Sequence, residues 1–168
     1  MRQTLRSRPA RQRYAYHRLA QVQGALLKVK LSYFIPGMDF NAAGKTSAEV
    51  KRLLAQLGID QGTVKRIAIA LYEGEMNIAI HGGGGTAEVE FTPSTVNINL
   101  RDEGPGIPDI ELAMTEGYST ASDEIRNMGF GAGMGLPNMK RNSDEFFIES
   151  TVGRGTTVRM VFHLGAQS

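Results

Sequence analysis

Two polar residues four positions apart, Glu73 and Asn77, are the first candidates for chemistry in this sequence. Side chains at positions i and i+4 of a helix share one face, so both can reach a single small target. A carboxylate can take a proton from a hydroxyl group, and carboxylate and amide oxygens suit Mg²⁺. The pair predicts a site that binds magnesium or orients a nucleophile, although such pairs also occur on ordinary solvated helices.

An aspartate followed by two closely spaced glycines forms the second candidate. Asp102 ends a predicted strand, and Gly104 and Gly106 follow it. The glycines permit a tight turn and leave room for a flat ligand. A carboxylate fixed at this point can accept a hydrogen bond from an exocyclic amine such as that of adenine. A surface turn of the same composition remains the alternative interpretation.

Four glycines at every second position form the third candidate, and they lead into a predicted helix. They are Gly129, Gly131, Gly133 and Gly135, followed by Leu136. Such a stretch exposes backbone N–H groups to an anion and directs a helix N-terminus at it. The pattern matches neither a P-loop nor a dinucleotide fingerprint. It predicts phosphate binding rather than a flexible linker, because an apolar helix follows directly.

The elements that must position these residues are predicted mainly from hydrophobic periodicity. Segment 63–81 is the exception: part of it alternates like a strand, but its Ala, Met and Glu content favours a helix, buried on more than one side. The four glycines at 82–85 are expected to end that helix and leave the chain free. Alternating patterns predict strands over 25–34, 87–92, 96–101, 145–150 and 156–164. Helices are predicted over 47–57, 63–81, 107–114 and 133–142, and a mobile loop over 116–130. This order indicates an α+β fold, a two-layer α/β sandwich in which a mixed, mostly antiparallel sheet is covered on one face by helices.

Composition limits the class of protein further. A chain of 168 residues without cysteine is expected to form about one domain, with no disulfides and no thiolate metal site. Neither a membrane span nor a secretory signal is expected, which makes the cytoplasm the expected location. Residues 1–24 hold six arginines and no acidic residue. We expect a flexible basic tail there rather than a nucleic-acid-binding arm.

In their order along the chain, these motifs and the later Gly153-Arg154-Gly155-Thr156 turn resemble the N, G1, G2 and G3 boxes of the GHKL (Bergerat-fold) ATPases. That superfamily includes DNA gyrase B and the histidine kinases. The resemblance covers residues 26–164. Residues 116–141 are especially similar to the lid and G2 region of bacterial anti-sigma-factor serine/threonine kinases of stress and sporulation modules. The resemblance implies an ATP-binding kinase domain over residues 25–168.

The resemblance also implies a role for each candidate residue. Asn77 would bind Mg²⁺, and Glu73 would be the catalytic residue that orients or deprotonates the attacking group. Asp102 would bind the adenine amine, supported by Thr156. Gly104 and Gly106 would shape the pocket, and residues 119–130 would form a lid. Gly131, Gly133 and Gly135 would contact the phosphates, and Leu136 is a further implied ATP-binding residue.

The implied activity is transfer of phosphate from ATP to a serine or threonine of a STAS-type anti-sigma-factor antagonist. The alternative is a nucleotide-dependent binding switch that sequesters a sigma factor or another regulator without phosphotransfer. A sensor histidine kinase is disfavoured because His17 lacks the sequence context of a phosphoacceptor helix. The resembled kinases usually pair, so a homodimer is expected, whereas membrane and nucleic-acid partners are not.

Overall fold

Six β-strands form one sheet in the computed structural model of the chain, which describes residues 19–23, 26–40 and 42–165. The strands are β1 (Leu19–Gln23), β2 (Leu26–Pro36), β3 (Gly84–Phe91), β4 (Thr95–Asp102), β5 (Glu145–Thr151) and β6 (Gly155–His163). Their order across the sheet is β1-β2-β3-β4-β6-β5, and each of these neighbouring pairs is antiparallel.

Helices cover one face of this sheet. They are α1 (Lys45–Gln56), α2 (Gln61–Ile80), α3 (Ile110–Ala113), α4 (Asp123–Asn127) and α5 (Gly135–Asn142). The core joins strand residues such as Ile98 to Leu54 of α1, Ile67 of α2 and Met139 of α5. The opposite face of the sheet carries ion pairs, for example between Lys30 and Glu88. The two-layer α+β sandwich predicted from the sequence is therefore confirmed.

Helix α2 runs through the middle of the helical layer and carries the first candidate motif. Asp60 begins it by accepting a hydrogen bond from the Thr63 N–H group (3.0 Å). Its buried residues lie on more than one side, as the sequence predicted. One of them, Glu75, is only 1% exposed and accepts hydrogen bonds from the N–H groups of Thr46 (2.9 Å) and Ser47 (2.8 Å). The Glu75 carboxylate thus caps α1 and fixes it against α2.

The structure differs from the predicted elements in two strands. Leu19–Gln23 form β1, which pairs with β2 inside the range expected to be a tail, whereas residues 1–18 lie outside the described residues. The glycine run after α2 was expected to leave the chain free, yet Gly84 and Gly85 begin β3 by pairing with the end of β2. Among the described residues, no helix has the length and apolar character needed to cross a membrane.

Candidate functional site

Nearly all the candidate residues line one cavity. Its volume of about 760 Å³ is within the range of small-molecule pockets. It is bounded by α2, the end of β4, the start of α5 and the segment before α5. The candidate residues that line it are Glu73, Asn77, Asp102, Gly106, Gly131, Gly133, Gly135, Leu136 and Thr156. Gly104 does not line the cavity. It packs behind it, where an added Cβ would lie 2.8 Å from the Cα of Gly82.

Asp102, at the end of β4, is held by the backbone on both sides. Its Oδ1 accepts hydrogen bonds from the N–H groups of Gly104 (2.9 Å) and Thr156 (3.2 Å). Because both bonds go to the same oxygen, Oδ2 keeps its capacity to accept a hydrogen bond from a ligand. The carboxylate is therefore a pre-oriented acceptor in the cavity wall.

Ser150, which was not predicted from the sequence, forms hydrogen bonds with both loops next to Asp102. Its Oγ accepts a hydrogen bond from the Ile107 N–H group (2.8 Å) and donates one to the Gly155 carbonyl (3.0 Å). It also lies 2.8 Å from the Thr156 Oγ1. The loop after β4 and the β5–β6 turn thus form one hydrogen-bonded unit. A serine within a strand gives no sequence signal of this role.

His81 ends α2 and lines the same cavity. Burial lowers the pKa of its imidazole below the ordinary value of 6.5, and the nearby Asp102 carboxylate raises it by a smaller amount. The ring is therefore mainly neutral at pH 7, with one nitrogen able to donate a hydrogen bond and the other able to accept one.

Asn77 lies against the first residue of α5. An added Cβ at Gly135 would be 2.8 Å from the Asn77 Oδ1, so any larger residue there would displace the Asn77 side chain. Met134, the N-cap residue of α5, provides no side-chain cap for the N–H groups of the first turn. An amide side chain and an uncapped helix N-terminus are thereby adjacent in the cavity, an arrangement that suits an anion and its counter-cation.

Glu73 lies one turn before Asn77 on α2 and also contacts α5. Its Oε1 accepts a hydrogen bond from the Nδ2 of Asn138 (2.8 Å), a residue that the sequence analysis did not identify. Glu73 and Asn77 line the cavity together, as their spacing predicted. Within the described part of the chain, no three His, Asp or Glu side chains are grouped as a metal site.

The predicted lid, residues 119–130, lies between α3 and α5, and a hydrogen bond joins the chain on its two sides. The Gly117 N–H group donates a hydrogen bond to the Gly133 carbonyl (2.9 Å). Gly133 has a φ of 74°, and an added Cβ would lie 2.4 Å from the Gly117 carbonyl carbon, so this close approach requires glycine. Phe130 stacks on Phe40, with ring centroids 5.1 Å apart. The unpredicted helix α4 lies in this segment.

A cavity between a helical layer and the end of a central strand defines a ligand-binding domain of the α+β class. A profile of the family described as histidine kinase-, DNA gyrase B-, and HSP90-like ATPases matches residues 62–166. This match covers more than half of the chain and includes all the candidate site residues. The chain belongs to this ATPase family.

Similar proteins support the same assignment. The chain is 34% identical to serine/threonine-protein kinase RsbT of Bacillus subtilis (strain 168), over 73% of this chain and 87% of RsbT. It is also 34% identical to an anti-sigma F factor of Thermoanaerobacter sp. (strain X514), over 77% of this chain and 94% of that factor.

A solved structure shows the same fold. It is the crystal structure of the RsbU and RsbW domains of Rv1364c from Mycobacterium tuberculosis. The TM-score is 0.55 at 19% identity, and the match covers 80% of this chain but only 32% of that longer chain.

Proposed function

We propose that this chain is an ATP-dependent serine/threonine protein kinase of the anti-sigma-factor type, acting in the cytoplasm on a STAS-type antagonist. The observation that carries the proposal is the presence of the Glu73 carboxylate in the same cavity as Asp102 and the N-terminus of α5. A site that only bound nucleotide would not need a carboxylate at that point. The two similar proteins described above, a serine/threonine-protein kinase and an anti-sigma F factor, agree with this proposal.

The adenine base is placed beside Asp102 in this proposal. The carboxylate would accept a hydrogen bond from the exocyclic amine, because backbone donors already fix its orientation. Gly106 and Thr156 line the cavity next to it. The phosphates would lie at the N-terminus of α5, where Gly131, Gly133, Gly135 and Leu136 line the cavity and the helix dipole favours negative charge.

A magnesium ion fits the donors at this end of the cavity. The Asn77 side chain, which lines the cavity beside the first residue of α5, offers an amide oxygen. Mg²⁺ commonly takes one or two protein ligands and completes its shell with nucleotide phosphates and water, so a cluster of carboxylates is not required. When bound, the ion would stabilise negative charge on the phosphates.

Glu73 is proposed as the general base. The hydroxyl oxygen of the partner's serine would attack the γ-phosphorus, and the bond between this phosphorus and the oxygen bridging to the β-phosphate would break, releasing ADP. The Glu73 carboxylate would accept the hydroxyl proton. No nucleophile from this chain is needed, because catalysis consists of positioning and charge stabilisation.

The proposal includes a lid and a homodimer. Residues 119–130 would order over bound nucleotide, and two copies would pair through a sheet edge. The kinase domain would comprise residues 25–168 together with β1, which is hydrogen-bonded to β2. A sigma factor or related regulator is a further proposed partner.

The test is transfer from γ-labelled ATP to purified STAS-domain proteins from the same organism. We expect label on a serine or threonine of one of them, dependent on Mg²⁺. Nucleotide-dependent binding of a partner without any label would instead support the alternative, a binding switch. If no partner is labelled and none binds in a nucleotide-dependent way, both functions are rejected.

A further inference from the structure

The candidate base is held by a residue that stands outside the cavity. Asn138, on α5, donates a hydrogen bond from Nδ2 to the Oε1 of Glu73 (2.8 Å), and Asn138 does not line the cavity. Among the described residues, no group donates to the other Glu73 oxygen, Oε2. One carboxylate oxygen is thus fixed by the protein, and the other remains able to take a proton. Asn138 therefore contacts the proposed base without itself lining the cavity.

The neighbours of Asn138 determine which way its amide points. The Glu73 carboxylate faces one side of the amide, and Arg141 Nη1 approaches its Oδ1 from the other side (3.4 Å). An ionised carboxylate only accepts hydrogen bonds and a guanidinium only donates them, so both contacts place the NH₂ group towards Glu73. The Arg141 contact is long and exposed, and it adds little energy.

Helix α5 sets the positions of both polar residues on α2. Gly135 and Asn138 are three residues apart and lie on one face of α5, just as Glu73 and Asn77 share a face of α2. Gly135 packs on Asn77 and Asn138 binds Glu73. A further hydrogen bond from the Asn142 side chain to the Asn138 carbonyl (2.8 Å) stabilises this helix one turn later.

We propose that Asn138 is a positioning residue that orients the Glu73 carboxylate for proton transfer from the incoming hydroxyl. This inference rests on the proposed kinase function, because it assigns a role within the same reaction. Hydrogen bonds to a charged group contribute enough that their loss changes a rate by roughly 10-fold to 100-fold. Nucleotide binding, which does not use the Glu73–Asn138 contact, should be unaffected.

The test compares three variants in the labelled-ATP assay with the STAS-domain protein that accepts label. Asn138→Ala should reduce the maximal transfer rate by roughly 10-fold to 100-fold and leave the Kd for ATP within about 3-fold. Asn138→Asp keeps the shape but places an acceptor against Glu73, so it should be at least as slow. The matched control Asn142→Ala removes the same side-chain type one turn later and should transfer at close to the unmodified rate.

A double-mutant cycle separates positioning from a general effect on the fold. In a Glu73→Gln background, Asn138→Ala should cause little further loss, because its contribution acts through the carboxylate. The role of Asn138 would be overturned by an unchanged rate for Asn138→Ala, by an equal loss in Asn142→Ala, or by additive losses in the cycle. Any of these outcomes would leave the proposed kinase function standing. Failure of the unmodified chain to label any partner would reject the kinase function, and with it this role.

Discussion

The orientation of the Asp102 carboxylate illustrates how single residues define the proposed site. Two backbone N–H groups bind one of its oxygens, so its rotamer is set before any ligand enters. Such pre-organisation avoids the entropic cost of ordering the side chain on binding. The identity of the ligand group that it favours then follows from its chemistry, because a carboxylate only accepts hydrogen bonds.

Replacement of Asp102 by asparagine should reverse this preference. The asparagine Oδ1 can still accept from the Gly104 and Thr156 backbones, which turns its NH₂ group towards the ligand. A donor would then face the adenine amine, and we expect ATP and ADP affinity to fall by roughly 10-fold to 100-fold. Guanine nucleotides, which present a carbonyl at this position, should not lose affinity.

Titration calorimetry of adenine and guanine nucleotides measures both effects. Glu103→Gln is a suitable control, because this neighbouring carboxylate is exposed and does not line the cavity. Equal affinity of the unmodified chain for both bases would contradict the placement of adenine at Asp102.

The sequence predicted the candidate residues that are marked by a short local motif. It missed the residues whose hydrogen-bond partners are distant in the sequence. Glu73 and Asn77 were identified because helical spacing places them on one face, and Asp102 because glycines follow it. Asn138 meets Glu73 across 65 positions, and Ser150 meets Ile107 across 43. No local pattern marks such contacts, since they arise only when helices and loops pack together.

At the scale of elements, the lid segment is more structured than its composition indicated. Its middle carries α4, where Ser122 accepts a hydrogen bond from the Ile125 N–H group (3.4 Å) and Ile125 is buried. The Phe130–Phe40 stack holds its C-terminal end against the loop between β2 and α1. Within residues 119–130 only Ala121 and Ile125 are buried, so few core contacts anchor the lid and it is among the less stable regions of the fold.

We expect nucleotide to protect this lid. Limited proteolysis should cleave within residues 119–130 in the nucleotide-free chain and much more slowly in the presence of Mg-ATP, because ligand contacts would favour the ordered conformation. Cleavage at the exposed turn between β5 and β6, residues 152–154, provides an internal reference for protease activity. The lid prediction is wrong if cleavage within 119–130 proceeds at the same rate in both conditions.

Some elements could not be derived from the sequence for physical reasons. β1 gains its structure from pairing with β2, and an arginine-rich neighbourhood obscured its short alternating pattern. Gly84 and Gly85 form a strand although glycine disfavours strands, because the backbones approach closely. An added Cβ at Gly85 would lie 2.2 Å from the Arg101 carbonyl oxygen. The shorter helix α1 and the two hairpins followed from hydrophobic periodicity, whereas the helix over 63–81 was predicted from its residue content because apolar residues lie nearly all round it.

At the scale of the whole molecule, the helical layer covers one face of the sheet and leaves its two edges, β1 and β5, unpaired within the described part of the chain. Unpaired edge strands present free backbone N–H and C=O groups to a second copy. On β5, Phe147 is 55% exposed, which adds an apolar group to that edge. Both edges are therefore candidates for the proposed dimer contact.

If the proposed dimer forms, we expect multi-angle light scattering at tens of micromolar protein to give a mass near twice that of the 18.3 kDa chain. Phe147→Lys should reduce this mass towards that of a monomer if β5 forms the contact, and leave it unchanged if β1 does. The matched exposed replacement Val152→Lys, in the neighbouring turn, controls for added charge. A monomeric mass of the unmodified chain at this concentration would exclude the dimer.

One cavity is proposed to bind Mg-ATP, and Glu73 within it is proposed to accept the proton during phosphate transfer. Glu73→Gln keeps the shape and the capacity to accept a hydrogen bond from Asn138, but it removes the base. The measurement pairs the Kd for ATP with the rate of phosphate transfer in this variant. We expect the Kd to stay within about 3-fold while transfer falls by roughly 10²- to 10⁴-fold, the usual contribution of a general base. Transfer at the unmodified rate would show that Glu73 is not the base, and an equal loss of nucleotide binding would show that it does not act on chemistry separately from binding.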